Sequence, residues 1–188
     1  MNHNYYAKYK NIILRPLMHD DIEQLRVWRN DRYATRFLRQ IGYITPEQQE
    51  KWFQSYLRRI DELTFAIVET EELNCIVGSV SIYDINGNQA EFGKIQIGAS
   101  NAHGKGIGRI SSVMVLALGF EKLGLKKITA CVHQENFPAH SNYLRIGFEI
   151  TGRQESAVGG FEDIIEIDKE RLFSTNKYAR EIELGGNI

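Results

Sequence analysis

The stretch His103–Arg109, with the sequence HGKGIGR, decides the fold, because it places three alternating glycines between a strand-like pattern and a helical one. Glycine lets backbone N–H groups approach an anion closely, and the N-terminus of the following helix adds the positive end of its dipole. The stretch therefore predicts a binding loop for phosphate or pyrophosphate. A plain glycine-rich turn is the alternative interpretation.

The spacing within this stretch excludes two common phosphate-binding loops. A P-loop ends in Gly-Lys-Ser or Gly-Lys-Thr, whereas Lys105 is followed by Gly106. A dinucleotide-binding loop has the spacing G-x-G-x-x-G near the first strand, with an acidic residue about 20 positions later. Here the spacing is G-x-G-x-G, deep in the chain, and Glu121 is too close and lies on the helix.

Outward from the loop, strand-like and helical patterns alternate, and the order of the segments predicts an α/β (α+β) fold with a mixed central sheet. About four helices are expected to flank that sheet. A hairpin turn at Asn86-Gly87 indicates that the strands on either side of it are antiparallel. The predicted segments are a strand over 12–17, helices starting at Asp20 (with Glu23) and at the capping box Thr45–Gln48, strands over 64–68, 76–83 and 90–98, a helix over 108–123, a strand over 127–132, a helix over 138–146, and strands over 148–153 and 161–168.

Composition and charge exclude several classes of protein. The chain has 188 residues, 43% of them hydrophobic and 25% charged, which is typical of a globular domain. A net charge of −1 gives no overall attraction to nucleic acid or to an anionic membrane. The apolar runs are far shorter than the ~20 residues that cross a bilayer, and no signal peptide is predicted. Cys75 and Cys131 are expected to be buried free thiols in a reducing cytoplasm.

Two segments together resemble the acyl-CoA site of the GNAT superfamily of N-acetyltransferases. The family's central motif is Gln or Arg, two residues, Gly, any residue, and Gly or Ala at a helix start, and 103–108 is similar to it with His103 in the first position. The second motif is an Asn followed by a short helix with a Tyr and then Gly-Phe, which Asn136–Phe148 matches. The resemblance covers about residues 11–169, and residues 170–188 are expected to form a loosely attached C-terminal tail of one single domain, 1–188.

The resemblance implies acetyl-CoA as cosubstrate, with its pyrophosphate bound through backbone amides. No metal is expected, because the histidines and cysteines lack metal-ligand spacing. The expected partners are CoA and a small-molecule amine, with no nucleic acid and no membrane; a homodimer is left open, and the location is cytoplasmic. Asn136 would contact the pantetheine arm, or else cap a helix. The candidate cofactor-binding residues are Ile95, Gln96, Ile97, His103, Gly104, Lys105, Gly106, Ile107, Gly108, Arg109 and Asn136.

Two residues are the candidates for proton transfer in the implied reaction. Tyr143 matches the family's general acid, whose phenol would protonate the departing CoA thiolate. Glu91 is the candidate base, since the family often places a carboxylate on the corresponding strand to order a water molecule. His133 competes with Glu91 for the role of base. In the alternative interpretation none of the three is catalytic: Tyr143 is a core residue, and Glu91 and His133 are exposed to solvent.

The acceptor is predicted from the first two helices. Trp28-Arg29-Asn30 and Trp52-Phe53 look like a branch whose members modify ribosomal protein N-termini or acetylate nucleotide-activated amino sugars. Trp28, Arg29 and Trp52 would border the acceptor site. A protein N-terminus, a polyamine and a non-catalytic CoA-binding module remain alternatives. A nucleotide-linked amino sugar is favoured by five arginines that could bind phosphates: Arg26, Arg29, Arg32, Arg36 and Arg39.

Overall fold

A mixed sheet of nine strands organises the chain, in a computed structural model that describes residues 3–32, 35–38 and 42–187. The strands lie side by side in the order β7-β8-β6-β5-β4-β3-β2-β1-β9. They are β1 (Tyr6–Tyr9), β2 (Ile12–Pro16), β3 (Leu63–Glu69), β4 (Cys75–Asn86), β5 (Gln89–Ile97), β6 (Lys127–His133), β7 (Glu149–Glu155), β8 (Phe161–Asp168) and β9 (Glu183–Gly185). In the part of the sheet that is described, β5 and β6 run parallel and every other neighbouring pair is antiparallel.

Within the described residues, five helices cover the two faces of this sheet, so the predicted α/β fold with a mixed sheet is confirmed with one helix more than expected. They are α1 (Ile22–Arg29), α2 (Pro46–Arg58), α3 (Ile107–Lys122), α4 (Phe137–Ile146) and α5 (Lys169–Thr175). Successive strand residues point to opposite faces. Phe65 of β3 accordingly joins the main core with α3, whereas Ala66 packs with α1 and α2 against Phe53 and Tyr56.

Local sequence signals place several of these elements. Thr45 and Gln48 form the predicted capping box at the start of α2, with Gln48 N–H donating to Thr45 Oγ1 at 3.3 Å and Thr45 N–H donating to Gln48 Oε1 at 2.8 Å. A hairpin turn joins β4 and β5, which are antiparallel as predicted; its turn residues are Gly87 and Asn88, because Asn86 still pairs with Gln89. Helix α3 ends just before Gly124, whose φ of +67° suits a glycine after a helix.

The first helix is stabilised differently from the prediction that Asp20 caps it. Asp20 is exposed, whereas the carboxylate of Asp21 is buried and accepts the Met18 N–H at 2.8 Å. The guanidinium of Arg15, on β2, donates two hydrogen bonds to Asp21, at 2.6 and 2.8 Å. The prediction that Asp20 caps the helix is therefore wrong. Arg15 on β2 and the Met18 N–H bind the carboxylate of Asp21 instead.

The two cysteines are free, but the expectation that they are buried is wrong, since both are exposed. Cys75 is the first residue of β4, beside a turn. Cys131 points away from the sheet face on which its neighbours Ala130 and Val132 enter the core with α3. None of the helices in the described ranges combines the length and apolar character needed to cross a bilayer.

The C-terminal segment packs against the sheet, which corrects the expectation of a loosely attached tail at 170–188. Helix α5 places Leu172 in the main core, and β9 pairs with β1 at the far edge of the sheet. Buried Asn176 joins this segment to α4, because its Nδ2 donates to the carbonyl of Ile146 at 2.7 Å and to that of Leu172 at 3.0 Å. These contacts join residues far apart in the sequence, so local periodicity does not reveal them.

Replacing Asn176 by alanine should destabilise the folded chain. The change leaves the Ile146 carbonyl without its side-chain donor, which costs about 1–3 kcal/mol of unfolding free energy, while the Leu172 carbonyl keeps the backbone N–H of residue 176 at 2.9 Å. Urea unfolding measures the loss, and Asn88→Ala, at an exposed turn position, is the matched control. Equal stability of the two variants would mean that the C-terminal segment contributes little to the fold.

Candidate active site

A gap between β5 and β6 forms the centre of the candidate site. The two strands pair in parallel only over 89–91 and 127–129, ending at Glu91 opposite Thr129. Beyond that point β5 continues along β4, and β6 continues along β8. A bulge in β5 accompanies the divergence: Lys94 has a φ of +50°, and the β4–β5 register shifts between Ser79 and Ser81. Bulges of this kind bend a strand away from its neighbour.

A cleft of about 930 Å³ passes through this gap. Its walls come from α1, α2, β5, β6, α4 and the turn over 156–160 between β7 and β8. The cleft brings together several predicted site residues that are far apart in the sequence, whereas Trp28 and the loop 103–109 lie outside its lining. The predicted residues that line it are Tyr143, Glu91, Ile95, Gln96, Asn136, Arg29, Trp52 and the competing base His133.

Tyr143 faces the cleft from α4, on one side of the sheet. It is 9% exposed, and its ring makes an edge contact with Phe92 at 5.5 Å and a tilted contact with Phe148 at 5.7 Å. Burial raises the pKa of Tyr143 to about 12, because the charged phenolate is disfavoured away from water. The hydroxyl group therefore stays protonated at neutral pH and can donate a proton.

Glu91 reaches the same cleft from the opposite face of the sheet. Its neighbours in β5, Ala90 and Phe92, are core residues, so alternation directs Glu91 away from α3. Tyr83 occupies the facing position of β4, directly opposite Glu91. Burial and the Glu91 carboxylate raise the pKa of Tyr83.

A second carboxylate and a thiol lie near Glu91. Glu162 of β8 accepts a hydrogen bond from Gln154 Nε2 at 2.7 Å. Partial burial, together with the charges of Glu162 and Glu91, raises the pKa of Cys131 to about 11. The thiol is therefore protonated at neutral pH. Glu162, Gln154 and Tyr83 carry no motif in the sequence, and only the pairing of β4, β7 and β8 with the neighbouring strands reveals them.

The glycine loop has the geometry of an anion cradle. Gly104 and Gly106 both have a φ of +76°, and a Cβ added at either position would meet open space. Gly106 precedes the first residue of α3 and accepts the Ile110 N–H at 3.1 Å, so the amides of Ile107 to Arg109 have no acceptor within the helix. The site thus fits a pyrophosphate group bound through backbone amides.

Side chains of the same loop are already engaged in contacts. Lys105 forms an ion pair with Glu72, from the turn between β3 and β4. His103 donates through Nε2 to the Ile97 carbonyl at 2.8 Å, since a carbonyl can only accept. The imidazole therefore ties the loop to the end of β5, at the position where the family motif has Gln or Arg.

The edge of β5 that faces the gap provides backbone groups for an extended ligand. Residues 95–97 follow the end of the β5–β6 pairing, so they do not pair with β6. Gln96 Nε2 donates to the Trp28 carbonyl at 2.9 Å, and the Trp28 ring leaves no room for a Cβ at Gly98. Trp28 therefore supports the end of β5 instead of lining the cleft. Asn136 lines the cleft and also caps α4, accepting the Ala139 N–H at 3.4 Å.

The outer end of the cleft is formed by Arg29 of α1 and Trp52 of α2. Arg29 is half-buried, and this burial lowers the pKa of its guanidinium. Trp52 is 39% exposed and stacks on Tyr56 at 5.7 Å with an interplanar angle of 12°. A partly exposed aromatic face beside a cation is suited to a ligand that has both a ring and a negative charge.

The predicted arginine cluster does not form as a unit around the cleft. Arg26 is buried and donates two hydrogen bonds to Glu23, at 2.7 and 2.8 Å. Arg32 and Arg36 are exposed, and Arg39 lies outside the described residues. Arg29 is the member of the cluster that the structure places in the cleft lining. In the ranges that are described, no group of three or more His, Cys, Asp and Glu side chains is arranged to hold a metal ion.

A known protein family matches most of the chain. Residues 11–149 match the family described as acetyltransferase (GNAT) domain. A mouse relative, alpha/beta-tubulin-N-acetyltransferase 9, is 24% identical over 160 residues, which are 79% of this chain and 66% of that protein. An uncharacterized protein of Methanocaldococcus jannaschii is 32% identical over 143 residues, which are 74% of this chain. The chain spans only 28% of the length of that second relative.

Solved structures show the same fold. A spermidine N-acetyltransferase from Vibrio cholerae, crystallised with CoA and spermine, superposes with a TM-score of 0.79 at 24% identity, over 87% of this chain and 98% of that one. A domain from Methanocaldococcus jannaschii superposes with a TM-score of 0.70 at 28% identity, over 86% of this chain and 99% of that one.

Replacing Gly106 by valine should weaken the binding of acetyl-CoA. The side chain would fill the open space of the cradle and strain a backbone with positive φ, and we expect at least about a tenfold loss of affinity, or ~1.4 kcal/mol. Calorimetry measures the change. Gly124→Val is the matched control, because Gly124 has a φ of +67° and open space at the other end of α3. Equal affinities of the two variants would exclude the loop as the pyrophosphate site.

Proposed function

The chain belongs to the GNAT acetyltransferase family, and from that premise we propose that it transfers an acetyl group from acetyl-CoA to a primary amine. One observation carries the proposal. A protonated phenol, Tyr143, and a carboxylate, Glu91, face one cleft from opposite sides of the sheet, where the parallel pairing of β5 and β6 ends. The glycine cradle at the start of α3 adds an anion site at the end of β5.

The proposed reaction forms a carbon–nitrogen bond and breaks the carbon–sulfur bond of the thioester. The neutral amine attacks the thioester carbonyl, and its proton leaves to Glu91 through an ordered water molecule. The thiolate of CoA departs and receives a proton from Tyr143. The pantetheine arm would lie along 95–97, beside Asn136, with the pyrophosphate on the cradle. A raised pKa keeps Tyr143 in the protonated form that this step requires.

Replacing Tyr143 by phenylalanine should lower turnover by roughly 10- to 10⁴-fold, a range from a helpful to a dominant acid. The ring contacts with Phe92 and Phe148 are retained and only the hydroxyl group is lost, so the affinity for acetyl-CoA should change little. Steady-state kinetics and calorimetry measure the two quantities. Tyr178→Phe, half-buried and outside the cleft lining, is the control. Wild-type turnover of Tyr143→Phe would reduce Tyr143 to a packing residue.

For the acceptor we propose a nucleotide-linked amino sugar. Arg29 and Trp52 support this choice, since a half-buried guanidinium binds phosphate through its planar fork and an aromatic face stacks on a sugar or a base. Fewer arginines support this acceptor than the sequence suggested, because Arg26 is bound to Glu23. The cytoplasmic location belongs to the same proposal, and two free cysteines agree with a reducing compartment.

A polyamine is the second candidate acceptor, and a different observation favours it. Glu91 and Glu162 both line the cleft, Glu91 opposite the phenol of Tyr83 and Glu162 bonded by the neutral amide of Gln154 at 2.7 Å. Two such carboxylates would attract an acceptor with more than one ammonium group. The carboxylate of Glu62, in contrast, is neutralised by Lys94 at 2.7 Å and by Arg59 at 3.0 Å.

A panel of amines distinguishes these acceptors. We expect an amino sugar joined to a nucleotide diphosphate to have a higher kcat/KM than the free sugar, spermidine or an N-terminal peptide. Arg29→Gln should lower that kcat/KM by about tenfold or more, since a charge-assisted hydrogen bond contributes roughly 1.5–3 kcal/mol. Arg32→Gln, at an exposed position outside the cleft lining, should not. A kcat/KM for spermidine tenfold above the others would select the polyamine. Absence of thioester cleavage with every amine of the panel would favour a non-catalytic CoA-binding module.

A further inference from the structure

We propose that His133 is a positioning residue, which fastens the turn over 156–160 above the acceptor end of the cleft, and that it does not act as the base. The inference rests on the proposed function, because it assigns a part in acceptor binding. His133 ends β6 at the gap and is 8% exposed, so it is placed where a base could act. Its contacts give it a different task.

Both ring nitrogens of His133 are used by the backbone. Nε2 lies 2.8 Å from the Gly159 carbonyl, which can only accept, so Nε2 carries the proton and donates. Nδ1 accepts the N–H of Glu135 at 3.2 Å. The tautomer is thereby fixed, and the lone pair that a base needs is already engaged. Taking a proton from the acceptor would require the imidazole to give up the hydrogen bond from Glu135.

The turn that His133 holds is itself well defined. Ser156 N–H donates to the Gly160 carbonyl at 3.0 Å, and Gly159 N–H donates to the Ser156 carbonyl at 3.0 Å. Gly159 and Gly160 have φ values of +90° and +72°. A Cβ at Gly160 would lie 3.3 Å from His133 Nε2, whereas one at Gly159 would meet open space. The imidazole thus packs closely on Gly160, and the turn presents 156–158 to the cleft.

His133 also contacts the opposite wall of the cleft. Its ring lies 5.0 Å from that of Phe37, at an interplanar angle of 30°, and Phe37 belongs to the segment after α1 and lines the cleft. One side chain therefore connects β6, the turn and the segment that follows α1. Of these, the turn and residues 35–38 lie beside the proposed acceptor end, while His133 makes no hydrogen bond or ring contact with the glycine loop or with 95–97 in the described part of the chain. We therefore expect loss of the connection to affect the acceptor and not acetyl-CoA.

Two substitutions of His133 distinguish positioning from base catalysis. Glutamine can still donate an N–H to the Gly159 carbonyl but is no base at neutral pH, so His133→Gln should keep kcat/KM within about threefold of the wild type. Phenylalanine retains the contact with Phe37 and loses both hydrogen bonds, so His133→Phe should raise the acceptor KM by about tenfold or more. Its kcat and its KM for acetyl-CoA should stay within a few-fold, with the acid limb of the pH–rate profile in place. An equal loss of kcat in both variants, with that limb abolished, would establish His133 as the base and overturn the proposal.

A pair of glycine variants tests the same contact without changing the histidine. Gly159→Ala and Gly160→Ala both place a side chain at positive φ, but only the second meets the imidazole. Gly160→Ala should raise the acceptor KM more than Gly159→Ala does. Equal effects of the two variants would contradict a specific contact between His133 and Gly160.

Hydrogen exchange tests the fastening without any substrate. The amide protons of Ser156 and Gly159 should exchange at least about tenfold faster in His133→Phe than in the wild type, whereas those of α3 should not change. Unchanged exchange in the turn would overturn the proposal. If the wild-type protein acetylates none of the amines, the proposed function fails while this measurement still decides whether His133 holds the turn.

Discussion

The site depends on the early end of one set of hydrogen bonds, those between the parallel strands β5 and β6. Pairing stops at Glu91 and Thr129, and the two strands then follow different neighbours. A continuous sheet would separate its two faces, with Tyr143 on the side of α4 and Glu91 on the other. The gap lets side chains from both faces reach the same space. Acid and base can therefore be supplied by different layers of the fold.

Several contacts compensate for the ladder hydrogen bonds that the gap leaves unmade. The bulge at Lys94 carries a positive φ, which is unfavourable for a side chain. The same lysine pairs with Glu62 at 2.7 Å and lies 4.3 Å above the ring of Tyr83, so two contacts favour the strained position. At the end of β5, Trp28 packs on Gly98, and His103 takes up the carbonyl of Ile97. Side-chain contacts thus stabilise the part of β5 that does not pair with β6, both at its bulge and at its end.

The sequence predicts the parts of the fold that are encoded locally. The capping box at Thr45, the hairpin turn at Gly87 and the glycines at the start of α3 each act through neighbours a few residues away. The features that the sequence did not predict depend on contacts between distant residues. Strands β1 and β9 pair with each other, and Arg15 of β2 binds Asp21. Cys131 is exposed because it lies on the face of β6 opposite the core residues Ala130 and Val132. An apolar run in the sequence does not show which face of a strand is covered.

The same distinction divides the candidate site. The proposed cofactor end consists of backbone groups of consecutive residues, so a motif such as 103–109 can predict it, and a family resemblance extends to it. The proposed acceptor end consists of side chains from α1, α2, several strands and the turn over 156–160, and no spacing in the sequence connects them. Residues such as Glu162 become candidates only when strand pairing places them beside Glu91.

This division has a consequence for how the site can change. Under the proposed function, substitutions at the acceptor end alter side chains that the cradle does not use, so the choice of amine could vary while the same backbone amides would hold acetyl-CoA. The two ends of the cleft are positioned relative to each other by β6. This strand places Cys131 and His133 in the cleft lining, and its pairing with β8 fixes its position. A change in that pairing would shift the proposed acceptor residues relative to Tyr143, although none of the proposed CoA-binding residues had been replaced.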